Sequence, residues 1–139
     1  MANTTATRTK VTAYLCCNGA SDAIDFYKHA FGANELYRME DGGRIGHAEI
    51  TIDDTVLYIS DEWPEMHVLS PKSLGGYSCS FVMAVPDADT AFERAVNAGA
   101  KVERPLKDEP YGRAGWVVDP FGHRWCISKS NPDFDPSKM

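Results

Sequence analysis

His47 and Glu49 are, by residue type and spacing, the pair in this chain best suited to chemistry. They stand two residues apart in the run Gly46-His47-Ala48-Glu49-Ile50-Thr51-Ile52. An imidazole gains and loses protons near neutral pH, and a neighbouring carboxylate can orient it or stabilise its charged form. The alternation of apolar and polar residues predicts a strand, in which positions i and i+2 share a face with side chains roughly 6–7 Å apart. Such a pair can serve as a general base with its polariser, as two metal ligands lacking a third, or as a hydrogen-bonded polar pair lining a wet pocket.

Other residues could share that face. Cys126 would become a nucleophile only if a cation lowered its thiol pKa, and Arg124 lies two residues away; a small apolar filler is the alternative. Parity along their strands puts Tyr14 with Cys16, Tyr58 with Ser60, and Ser80 on open faces, with Cys17 in the core. Trp116 joins the open set. Trp63 lies in a long connector, and Tyr111 precedes Arg113 near a hairpin. Several aromatics with few charges suit a flat, largely apolar ligand. Asp61, Glu62 and Glu65 form an acidic edge that could attract a cation. His123 leans toward the helices and is expected to be structural. No P-loop, dinucleotide-binding glycine fingerprint, G-x-S-x-G or H-E-x-x-H motif is present.

The elements that position these residues come in two similar sets. Arg44-Ile45-Gly46 opens one strand-like run, and Arg113-Ala114-Gly115 opens another later in the chain. Phe31-Gly32-Ala33 and Ala98-Gly99-Ala100 each close a helical stretch ahead of them. The order is strand 11–17, helix from Asp22 with Ser21 as its cap, and strands 35–39, 46–52 and 56–60. After a connector over 61–76 come strand 79–85, a helix capped by Asp87, and strands 102–107, 116–118 and 124–128. Residues 1–10 read as a loose arm and 129–139 as a peripheral tail. The fold class expected is α+β: two βαβββ modules, about 11–60 and 77–128, forming cupped mixed sheets with helices on the outer face, within one domain of 139 residues.

Composition is that of a globular protein, with 43% hydrophobic and 24% charged residues. A net charge of -6 and the lack of a basic run argue against a nucleic-acid surface. No apolar run approaches the ~18 residues of a membrane span, and no signal peptide is evident. The four cysteines form no C-x-x-C motif and are expected to be reduced thiols, giving a cytoplasmic location.

Ala23-Ile24-Asp25-Phe26-Tyr27 with Phe31-Gly32-Ala33, and the later Asp119-Pro120-Phe121-Gly122-His123, resemble the vicinal oxygen chelate superfamily of glyoxalases, extradiol dioxygenases, fosfomycin-resistance enzymes and bleomycin-binding proteins. Gly43-Arg44-Ile45-Gly46-His47-Ala48-Glu49, Leu74-Gly75-Gly76 and Arg104-Pro105-Leu106 are similar to its PhnB-like branch. The resemblance implies the cupped fold and a homodimer. It also implies four inward metal points, which fall near Thr12, Tyr58 or Ser60, Ser80 and Cys126. None of these is a histidine or carboxylate, so the metal site of the family is expected to be missing and no cofactor is favoured, with a divalent metal left open. The expected function is binding of a small organic molecule in an aromatic-lined cavity. The alternatives are a lyase or isomerase, metal-dependent or metal-free, using Glu49 and His47, and a scaffold whose cavity is filled by side chains.

Overall fold

The computed structural model describes residues 8–138. Module one comprises β1 (Tyr14–Cys17), α1 (Ala20–Phe31), β2 (Asn34–Asp41), β3 (Arg44–Ile52) and β4 (Thr55–Asp61). The connector carries a 3-10 turn, Pro64–Met66, and a short α2 (Pro71–Leu74). Module two comprises β5 (Ser80–Ala84), α3 (Ala88–Ala98), β6 (Lys101–Glu109), β7 (Gly112–Val118) and β8 (Arg124–Ser130). The strands form two four-stranded mixed sheets, ordered β1-β4-β3-β2 and β5-β8-β7-β6, with the parallel pairs β1·β4 and β5·β8. The expected α+β architecture of two βαβββ modules is therefore present. Of the expected N-terminal arm, residues 1–7 lie outside the described residues.

Strand parity sorts the side chains. In β3 and β4, Ala48, Ile50, Leu57 and Ile59 are buried toward the helices. They join Leu15 and Cys17 of β1, Ile24 and Tyr27 of α1, Phe92 and Ala95 of α3, and Val117, Trp125 and Ile127 of module two in one continuous core. The two helices lie against each other, and Tyr27 and Phe31 of α1 reach Trp125 of β8, with ring centres 5.7 and 4.8 Å apart. Both sheets thus turn their helix side into a shared core and leave their other faces free.

The start of α1 differs from the sequence expectation. The helix begins at Ala20, and its cap comes from a distant residue: the Asp61 carboxylate accepts hydrogen bonds from the backbone N–H groups of Gly19 and Ala20. Its second oxygen takes the N–H of Ile45, so one carboxylate ties helix, β3 and β4 together. Ser21 instead accepts a hydrogen bond from Arg38. Gly32 ends the helix in the left-handed conformation, at φ 69°, which glycine adopts without penalty. Asp87 caps α3 as expected, accepting from Thr90. The first strand starts at Tyr14 rather than residue 11, and Val11 is almost fully exposed.

A buried carboxylate, Asp119, joins the modules from behind. It accepts the phenol of Tyr27, the indole N–H of Trp125, and the backbone N–H groups of Phe121 and His123. His123, also buried, donates from Nε2 to the Cys16 carbonyl at 2.8 Å. The sequence shows Asp119 only as the first residue of a turn; nothing in its neighbours along the chain announces four donors converging on it.

Candidate functional site

On the open face of module one, β1, β4, β3 and β2 bring Tyr14, Tyr58, His47, Glu49 and Tyr37 together. The registers place Tyr14 beside Tyr58 and Tyr58 beside Glu49. A continuous hydrogen-bond chain runs through the group. The Tyr14 hydroxyl lies 2.7 Å from Nδ1 of His47, Nε2 of His47 lies 2.9 Å from Glu49, and the Tyr37 hydroxyl donates to the same Glu49 oxygen at 2.9 Å. A carboxylate can only accept, which puts a hydrogen on Nε2 and leaves Nδ1 of the neutral ring to accept from Tyr14. Three tyrosine rings surround the imidazole, with centres 5.3, 4.8 and 5.9 Å from it.

The electrostatics assign unequal roles. Hydrogen bonds from His47 and then Tyr37 hold the Glu49 carboxyl below its ordinary range. A carboxylate so stabilised is a weak base and a good orienting group for the imidazole. Burial, followed by the nearby charge of Glu49, pushes the Tyr14 phenol up, so it stays protonated at neutral pH. Tyr37, missed by the sequence reasoning, has its phenol raised by the bond to Glu49. Its alternation in the run 35–39 was the available signal.

On the open face of module two, Arg124 lies at the centre. Its guanidinium carbon sits 3.7 Å from the ring centre of Trp116 and 5.9 Å from that of Tyr77. Nε donates to Glu103 at 2.7 Å and Nη1 to the Ser80 hydroxyl at 3.0 Å. Tyr77 also donates to Glu103, and these bonds, that of Tyr77 first, hold the Glu103 carboxyl low. Cys126 faces this side beside Trp116 but is buried. Burial raises its thiol pKa, and Arg124 opposes that only in part, which removes the basis for nucleophilic character. Cys16 is half-buried, and burial, then Glu62 and Asp61, push its thiol up to about 11.

Several residues expected near the ligand are engaged by other parts of the chain. Arg113 is on the helix side, held by Asp89 of α3 and by Asp108. Ser60 is buried, its hydroxyl donating to the Asp61 carbonyl. Trp63 reaches the start of β3, where Arg44 stacks on it at 3.7 Å and its indole N–H bonds the Ile45 carbonyl. Tyr111 meets Phe134 of the C-terminal segment at the far end of module two. The acidic edge is consumed internally: Asp61 caps α1, Glu62 binds Ser70, and Glu65 pairs with Arg44.

The family metal points do not fit a divalent ion. They offer Tyr58 or a Ser60 hydroxyl already donating, a Ser80 hydroxyl facing Arg124, and a thiol kept protonated by burial. Both nitrogens of His47 are engaged. Among the described residues, no group of three or more His, Cys, Asp or Glu is placed to hold a metal. A cavity of about 1030 Å³ runs along the edge of β5 that has no partner strand among the described residues, lined by Phe31, Ile52, Val82, Arg94 and Trp125 among others. Its lining includes Asp53, Asp87, Thr90 and Arg94 but none of Tyr14, His47, Glu49, Glu103 or Arg124, so these members of the two hydrogen-bonded clusters lie outside it.

The fold and these faces define a class, and sequence comparison assigns the chain to it. Residues 9–127 match the Glyoxalase/Bleomycin resistance protein/Dioxygenase superfamily, and the chain belongs to that family. An uncharacterized protein of Mycobacterium bovis is 40% identical over 121 residues, covering 84% of this chain and 80% of that one. The crystal structure of TioX from Micromonospora sp. ML1 superposes with a TM-score of 0.70 at 27% identity, covering 89% of this chain and all of that one. An Arabidopsis thaliana gene product, At5g48480, gives a TM-score of 0.70 at 26% identity, covering 89% and 100%.

Proposed function

We propose that this chain binds a small organic molecule between its aromatic open faces, as a single-domain cytoplasmic homodimer of the PhnB-like branch. The observation that carries the reading is the state of those faces. Tyr14, Tyr37 and Tyr77 are about half exposed and Val82 is 69% exposed, beside polar groups already fixed by hydrogen bonds. Covering ~200 Å² of apolar surface gains about 5 kcal/mol, before the cost of immobilising the ligand. The two faces turn away from a common core, and the outer edges of β1 and β5 have no partner strand among the described residues. A second copy that lays its module two against module one would satisfy those edges and close a cavity.

Calorimetric titration with the neutral probe 2-naphthamide tests the binding. Tyr14→Ala and Tyr58→Ala should each weaken it roughly tenfold without loss of fold. Unchanged affinity in both variants would remove these faces from the function. Light scattering should give twice the chain mass; a monomer with full affinity would refute the shared cavity.

The Tyr14–His47–Glu49 chain favours a second function, metal-free proton transfer by a lyase or isomerase. Tyr14 would exchange a proton with the bound molecule, His47 would take it up, and Glu49 would stabilise the imidazolium. Glu49→Gln should then abolish turnover while sparing affinity. Equal loss of both would return Glu49 to a binding role.

A further inference from the structure

We infer that the open face of module two is an anion-recognition surface, and that the ligand class is a flat conjugated carboxylic acid. This rests on the small-molecule function proposed above and gives that molecule a chemical identity.

Three observations converge. First, Arg124 is fixed as a plane. Glu103 and Ser80 occupy Nε and Nη1, and Trp116 covers one face of the guanidinium, while none of its hydrogen bonds among the described residues uses Nη2. An arginine immobilised in this way offers its remaining N–H groups to an oxyanion with little further loss of side-chain freedom. Second, Arg104 lies opposite Trp116 in the β6·β7 register, is exposed, and makes no salt bridge among the described residues. Its charge lowers the pKa of Glu103 and opposes the rise of the Tyr77 and Tyr111 phenols, so it acts on the same surface. Glu109 nearby is paired with Lys107 at 3.7 Å, so the two guanidiniums against the carboxylate of Glu103 leave this patch positive, on a chain whose net charge is -6. A local reversal of sign steers anions to that spot. Third, module one presents the opposite: Glu49 is ionised and flanked by phenols. An acid is therefore directed by its carboxylate toward Arg124 and Arg104, with its conjugated ring on the aromatic groups. A cationic ligand would meet two arginines and find Glu103 already bonded.

The test compares three probes of one shape, 2-naphthoate, 2-naphthamide and 2-naphthylmethylammonium, by calorimetry on the full chain. Naphthoate should bind roughly tenfold tighter than the amide, because charge-assisted bonds to arginine exceed neutral ones. The ammonium should bind weakest. Raising salt should erode the preference for the acid. Arg104→Gln, an exposed change that leaves the fold alone, should reduce the preference to about threefold, and Arg124→Gln with Arg104→Gln should abolish it. Equal affinity of acid and amide, a preference that survives both changes, or tightest binding of the ammonium overturns the anion site while leaving small-molecule binding intact. Failure of all three probes to bind overturns both.

Discussion

The two open faces are built on one plan and filled with different chemistry. Strand registers equate Tyr14 of β1 with Ser80 of β5, Tyr58 of β4 with Arg124 of β8, and Ser60 with Cys126. The repeated Arg-x-Gly sequence equates His47 with Trp116. Each face holds a basic group against aromatic rings and a carboxylate: His47 with three tyrosines and Glu49, Arg124 with Trp116, Tyr77 and Glu103. The basic group of module one is an imidazole bonded through both ring nitrogens, whereas that of module two is a planar guanidinium stacked on an indole. One face presents a hydrogen-bonded imidazole and the other a guanidinium held flat against a ring.

The sharpest way to break this comparison lies behind the faces, where the modules are not equivalent. Asp53 and Asp119 each occupy the turn that leads into the last strand of its module. Asp53 is exposed, while Asp119 is buried under four hydrogen bonds. Asp119→Ala should cost about 4 kcal/mol or prevent folding, because it strands buried donors, and Asp53→Ala should cost less than ~0.5 kcal/mol by urea denaturation. Next come the paired glycines. A methyl at Gly115 would lie 2.5 Å from Phe92 of α3, so Gly115→Ala should cost about 2 kcal/mol by overpacking. At Gly46 the nearest atom is Trp63, at 3.7 Å, and Gly46→Ala should be within ~0.5 kcal/mol of neutral.

Smaller effects sharpen the contrast of chemistry. Nitrogen NMR of His47 should report the ring hydrogen on Nε2, and Glu49→Gln should weaken that preference; no change would mean Glu49 does not orient the ring. Acid stability gives the smallest difference. Glu49 and Glu103 both have folded pKa values below the ordinary carboxylate range. Their contribution is present above the unfolded-state pKa of about 4.3 and is lost as pH falls through the folded values. Melting temperature should therefore hold steady down to about pH 5 and fall below ~4, less steeply in Glu49→Gln and Glu103→Gln alike.

Much of this was legible in the sequence because strand alternation is a strong signal. Ala48 and Ile50 against His47 and Glu49 fixed both faces of β3, and the two Gly-Ala helix ends marked the modules. What escaped notice depends on contacts between distant residues. Asp61 caps α1 from the end of β4, and Asp119 collects donors from α1 and β8. The repeated Arg-x-Gly shows the limit most plainly. A bulge in β3, between the pairs Met39·His47 and Glu40·Ile45, accommodates Gly46 as an extra residue. It turns Ile45 into the core and frees Arg44 to stack on Trp63, while in the regular β7 Arg113 turns to Asp89 on α3. One inserted residue reverses every side chain on one side of it, so two triplets of the same Arg-x-Gly pattern sent their arginines to opposite sides.

The carboxylate of Asp119 has a consequence for how this scaffold can diversify. It secures helix, turn and final strand from the rear, drawing on none of the residues that line either front. Substitutions at Tyr14, Tyr58, Trp116 or Arg124 can therefore alter what is recognised while the architecture stays standing, and a change of cargo demands no rebuilding of the frame.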